Sequence, residues 1–73
     1  MSKLPALSGK DCIKALEKVG FRFKRQEGSH VTLRRDEPFC QVVVPLHKEL
    51  DRGTLRAIIR QAGLSVAEFN RLL

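Results

Sequence analysis

At Gly20 the apolar residues of this 73-residue chain stop recurring every three to four positions and begin to alternate with polar ones. Before that point Cys12, Ile13, Leu16 and Val19 share one helical face, while Lys10, Lys14 and Lys18 repeat on another. After it, Phe21 to Gln26 and His30 to Arg34 alternate in steps of two, and Phe39 to Val44 is apolar except at Gln41. These are the marks of three short strands. Beyond Asp51 the helical period returns: Leu55, Ile58, Ile59 and Ala62 form an apolar stripe, with Arg52, Arg56 and Arg60 on a different face. The order of elements is therefore α-β-β-β-α-α, an α+β fold in which a three-stranded antiparallel meander packs helices on one face.

The boundaries have local causes. Met1 to Leu7 is a short arm containing Pro5, and Ser8 is placed to cap helix 1, with Asp11 beside its first-turn amides. That helix runs to about Val19, and Gly20 suits the left-handed position that closes it. "EGS" and "RDEP" supply the turns, and Pro45 ends the third strand because it has no amide to donate. Asp51 caps helix 2 and Gly63 ends it. Ser65 and Glu68 match a capping box for a short last helix reaching about Leu72. Residues 1–73 make one domain, with no room for a second.

Fourteen Lys and Arg against eight Asp and Glu leave a net charge of +6. Such an excess suits a polyanionic partner, either nucleic acid or an acidic protein, with nucleic acid ahead of a merely soluble basic surface because the basic residues fall on particular faces. Four Phe with no Trp or Tyr argue against a stacking platform for single-stranded bases. Cys12 and Cys40 form no CxxC and no zinc spacing, so both read as small core residues. No metal or small-molecule cofactor is expected. Neither a signal-type leader nor an apolar run of about 20 residues is present, so the expectation is a soluble, reduced, cytoplasmic domain without membrane contact.

Strand parity places the polar residues. Phe21 and Phe23 should face the helices, turning Arg22, Lys24 and Gln26 outward. Val31 and Leu33 should face inward, turning His30, Thr32 and Arg34 outward. A three-residue "EGS" loop then pairs Gln26 with His30, Lys24 with Thr32, and Arg22 with Arg34. Cys40, Val42 and Val44 should face the helices, and an even second loop puts Thr32 by Gln41 and His30 by Val43. The resulting outer face carries Arg22, Lys24, His30, Thr32, Arg34 and Gln41, with no carboxylate. Because strand 3 ends beside the start of strand 2, His30 and His47 should be neighbours at one edge.

Imidazole titrates near neutrality, so it can accept a 2′-hydroxyl proton or protonate a leaving oxygen. Lys24, Arg22 or Arg34 would hold the phosphate, and Gly28 would let the backbone approach it. Residue type alone favours simpler roles: His30 as a strand-end residue chosen for turn geometry, His47 as a loop residue, and Arg52, Arg56 and Arg60 as a solvated helix face. A catalytic Cys–His pair has little support. "AGLS" looks like the turn of a DNA-binding helix-turn-helix, but too few residues follow Ser65 for a recognition helix.

From "SGKDCIKALEKVGFRFKRQEGSHVTL" through "VVVPLHKELDRGTLRAIIRQAGLSVAEF" the chain resembles the HicA toxins of bacterial type II toxin–antitoxin systems, also called the YcfA-like group. The specific blocks are G-S-H after the first strand, V-P-x-H after the third, and D-x-G-T-L-R-x-I-x-x-Q-A-G-L. The resemblance implies a double-stranded-RNA-binding-like α-β-β-β-α fold, here with a short extra C-terminal helix. It also implies a metal-independent mRNA interferase that arrests translation, and a cognate HicB antitoxin that covers the active site. The family's catalytic histidine carries over to His30, and its second histidine to His47. Arg22, Lys24, Gly28, Ser29, Thr32, Arg34 and His47 are then the expected RNA contacts. Many members read G-S-H-H or G-S-H-x-Q-F where this chain has "GSHVTL", with Val31 on the core side. Two alternatives stay open: a non-catalytic RNA-binding module of the same fold, and DNA binding through the last two helices, in which Arg60 and Asn70 would matter more than Lys24.

Overall fold

A computed structural model describes residues 3–73, so the first two residues of the expected N-terminal arm lie outside the described residues. The elements are α1 (Gly9–Glu17), β1 (Arg22–Glu27), β2 (His30–Asp36), β3 (Phe39–Pro45), α2 (Arg52–Gln61) and α3 (Val66–Asn70). The strands form one antiparallel sheet in the order β1-β2-β3. This is the α-β-β-β-α order with an additional C-terminal helix.

The capping residues do what their chemistry suggests. Ser8 accepts a hydrogen bond from the Asp11 amide at 3.1 Å, and Asp51 accepts from the Thr54 amide at 2.7 Å. Ser65 and Glu68 complete the reciprocal capping box of α3. Two helices are shorter than their apolar spacing predicts. α1 stops at Glu17, and a tighter turn carries the chain to Gly20 at φ 95°. α3 stops at Asn70 rather than near Leu72. With Phe69 fully buried and the Asn70 side-chain amide donating to the Lys3 carbonyl at 3.0 Å, this five-residue helix is a packing element.

Leu16, Phe21, Leu33, Val42, Val44, Leu55, Ile59 and Phe69 fill the core between the sheet and the helices. Burial of such side chains is worth about 1.5–3 kcal/mol each before entropy is counted. α1 and α2 lie chiefly over β3, which leaves β1 at the far edge without cover. Phe23 shows the consequence. It pairs with Leu33 and so shares the helix-side face, yet it is 60% exposed. Parity fixes its side of the sheet correctly, but burial depends on what reaches that side. Cys40, on the same face at the start of β3, is only half-buried, and its thiol donates to the Gln61 carbonyl at 2.9 Å.

The first hairpin corrects the expected register. Its loop is two residues, Gly28 and Ser29, and Glu27 rather than Gln26 pairs with His30. Gly28 has φ 59° and Ser29 a negative φ, the pattern of a type II′ turn, which suits the twist of a hairpin. An even loop by itself would have put Arg22 and Arg34 on opposite faces. The ladder slips by one residue between Phe23 and Arg25, a β-bulge at Lys24, and the Arg22–Arg34 pairing is restored. Lys24 does not pair with Thr32; Arg25 does. The second loop is even, as expected, but two residues further along: His30 pairs with Pro45, Thr32 with Val43 and Arg34 with Gln41.

Candidate functional site

All helices lie on one side of the sheet, so the other face is open. Its middle strand contributes His30, Thr32, Arg34 and Asp36, and its outer strands contribute their pairing partners. The bulge changes what β1 offers. Lys24 reaches across β2 to donate to the Gln41 side-chain oxygen at 3.2 Å, and Arg25 stands opposite Thr32. Arg22, Lys24 and Arg25 therefore all serve this face, where strict alternation would allow only two of them. Gln26, expected outward, pairs with Val31 on the helix side and donates to the Gly28 carbonyl at 2.9 Å.

The face is not free of carboxylates. Asp36 accepts from the Arg34 Nε at 2.7 Å and lies 3.6 Å from an Arg22 terminal nitrogen, and Glu27 lies 3.6 Å from the Arg25 Nε. The longer strands explain the difference: β1 extends to Glu27 and β2 to Asp36, bringing into the ladder two acids that the sequence pattern had left in turns. All five groups of these pairs are substantially exposed, where such pairs contribute little stability. Each places a carboxylate beside a guanidinium group of this face. Arg34 also lies over the exposed Phe39 ring, 5.3 Å from its centre.

His30 opens β2 directly after the Gly28–Ser29 turn and is exposed. Thr32 belongs to the same face but is only 5% exposed, flanked in the ladder by Arg25 and Val43. The His47 loop is tied to this end of the sheet. Just beyond the His30–Pro45 pair, the Leu46 amide donates to the Ser29 carbonyl at 2.6 Å. The shared edge of the two histidines thus rests on a backbone hydrogen bond. His47 in turn accepts, through its carbonyl, a bond from the Gly9 amide at 3.0 Å. The Thr54 amide and hydroxyl hold the Asp51 carboxyl below its ordinary value of 3.8, with a smaller contribution from nearby His47.

The structure thus brings Arg22, Lys24, Thr32 and Arg34 onto the face of His30, puts Gly28 and Ser29 in the turn that leads into it, and sets His47 at the same end. Sequence reasoning missed Arg25, Glu27, Asp36 and Phe39. The signal for the first of these was present: Gly-Ser favours a two-residue turn, which demands a bulge if Phe23 and Leu33 are to share a face. Among the described residues no group of three or more His, Cys, Asp or Glu side chains could hold a metal ion, and no helix is long and apolar enough to cross a membrane.

Comparison with known proteins adds identity to this geometry. A model of the HicA toxin of bacterial toxin–antitoxin systems matches residues 9–64, a span holding both histidines, the whole sheet and both long helices. No curated protein matches the chain. Matched over most of its length, the chain belongs to the HicA toxin family.

Proposed function

We propose that the chain is an RNA endonuclease toxin that arrests translation by cutting mRNA, with His30 as general acid or base. The observation that carries this reading is the setting of His30, an exposed imidazole on the open face that also presents Arg22, Lys24, Arg25 and Arg34. Such a face has the parts that metal-free RNA cleavage needs. The cations bind the backbone and stabilise charge that builds on the phosphate. The imidazole takes the 2′-hydroxyl proton as that oxygen bonds to phosphorus, or gives a proton to the 5′-oxygen as its bond to phosphorus breaks. The products are a 2′,3′-cyclic phosphate and a free 5′-hydroxyl. Gly28, without a side chain, lets the RNA backbone approach the turn.

The toxin's net charge of +6 suits a cognate acidic antitoxin that masks this face. Co-purification with an acidic protein encoded beside the toxin, with loss of activity in the complex, tests that partner. The catalytic assignment is tested by His30→Ala in an RNA cleavage assay containing EDTA. Loss of cleavage and of growth arrest in a folded variant supports it. Full toxicity of that variant overturns it. RNA binding with steep salt dependence and no cleavage by the unmodified protein would favour the non-catalytic RNA-binding module instead.

A further inference from the structure

The end of the sheet that carries His30 holds a cavity that the sheet-face reading leaves unused. Its volume is about 510 Å³, and Ser8, Lys10, Leu46, His47 and Lys48 line it. It exists because α1 meets the strand end at very short range. The Gly9 amide bonds the His47 carbonyl, and a β-carbon at position 9 would overlap the Pro45 carbonyl. Glycine at that one place lets the first turn of α1 come against the loop, so Lys10 and Lys48 arrive from two different elements.

The three arginines of the sheet face, Arg22, Arg25 and Arg34, each stand beside a carboxylate. Among the described residues, the three ion pairs all lie on the sheet face, and neither Lys10 nor Lys48 has a carboxylate partner. Two free ammonium groups and an imidazole surround a concavity in which Leu46 is 39% exposed. An apolar patch beneath a cationic rim matches a nucleotide, whose base or ribose covers the apolar part while its phosphate meets the amines.

We propose that this cavity is a nucleotide subsite for the RNA chain as it leaves His30 and passes round the end of the sheet. Lys10 and Lys48 bind the phosphate, Leu46 packs against the base or sugar, and His47 contributes a ring donor. This rests on the RNA reading given above and adds a direction to it: one side of the cut lies along the sheet face, the other at the start of α1. Lys10, Lys48 and His47 bind and position substrate.

The test uses the full chain and a 2′-O-methyl RNA hexanucleotide, which lacks the attacking hydroxyl and so separates binding from cleavage. In an amide NMR titration the signals of Ser8, Lys10, Leu46, His47 and Lys48 should move together with those of the sheet face. The double variant Lys10→Glu, Lys48→Glu should lose the cavity shifts, keep those of the sheet face and bind about tenfold more weakly, the scale of a lost charge-assisted hydrogen bond. Lys14→Glu, one turn further along α1 and outside the cavity lining, should bind nearly as the unmodified protein does, and retained peak dispersion in each variant confirms folding. Cavity amides that stay still while the sheet face responds overturn the subsite and leave the RNA reading standing. A double variant that binds RNA normally but no longer binds the acidic antitoxin overturns it too, and reassigns the cavity to that protein. Cleavage that survives His30→Ala, with the cavity shifts intact, removes the catalytic assignment and leaves the subsite in place.

Discussion

Gly9 and Pro45 meet backbone to backbone, with the Gly9 α-carbon against a carbonyl that any β-carbon would overlap. The atoms in the way belong to the main chain at the end of β3, so they cannot swing aside as a flexible side chain would. Gly9→Ala should therefore destabilise the domain by about 1–3 kcal/mol, the range for overpacking a close contact. Urea denaturation reads this as a lower midpoint at unchanged slope, and an unchanged midpoint would mean that the contact is looser than it looks.

The bulge at Lys24 makes a prediction that regular alternation does not. Arg25→Ala should weaken RNA binding as much as Lys24→Ala does. Each should reduce the salt-dependence slope by about 0.7, the contribution of one phosphate contact on a single strand. Gln26→Ala, on the helix side, should leave the slope unchanged. Binding isotherms at several salt concentrations give all three values.

Asp36 restrains two arginines of the proposed RNA face, Arg34 by a hydrogen bond and Arg22 at longer range. Asp36→Asn should tighten RNA binding and steepen its salt dependence, because it frees both guanidinium groups and removes a like charge from the path of the phosphates. If Asp36 serves mainly to orient Arg34, the same variant will bind more weakly, and filter binding at fixed salt distinguishes the two.

The thiols should differ sharply in reactivity. Cys12 is fully buried in the core, and burial pushes its thiol up to about 12. Little thiolate is then available at neutral pH, whereas Cys40 is partly open to solvent. An alkylating reagent should label Cys40 in the native protein and Cys12 only after denaturation, as mass spectrometry of the labelled peptides would show.

Two cap carboxylates shape the acid limb of stability. Asp51 is held below 3.8 by the Thr54 amide and hydroxyl, and Glu68 below 4.5 by its bonds with Ser65. A carboxyl lowered in the folded state stabilises fully above its unfolded value, and that stabilisation is lost as pH falls through the folded value. The double variant Asp51→Asn, Glu68→Gln should thus show a shallower fall in stability as pH drops below 4.5. Thermal melts across that range decide it: an unaltered acid limb would place the pH dependence elsewhere.

Much of this was legible in the residues. Period, capping side chains and glycines placed every element to within a few residues, because those signals act over one turn or one pleat. The pairing of Arg22 with Arg34 was also legible, since only that face relation lets Phe23 and Leu33 lie together. The family blocks around Gly28–His30 and Pro45–His47 pointed to the same end of the sheet that the Leu46–Ser29 hydrogen bond now joins.

The sequence by itself determined which residues alternate, where helices begin, and that a histidine opens the middle strand among cations. These follow from side-chain chemistry within a few positions of each residue. Only the tertiary structure decided that an even turn and a bulge together do the work of an odd turn, which recruits Arg25 and puts Gln26 on the other side. It alone decided that Phe23 lies beyond the reach of the helices, and that Gly9 brings Lys10 beside Lys48. Such facts depend on how far a packed element extends and how closely two backbones meet. No local period encodes either distance.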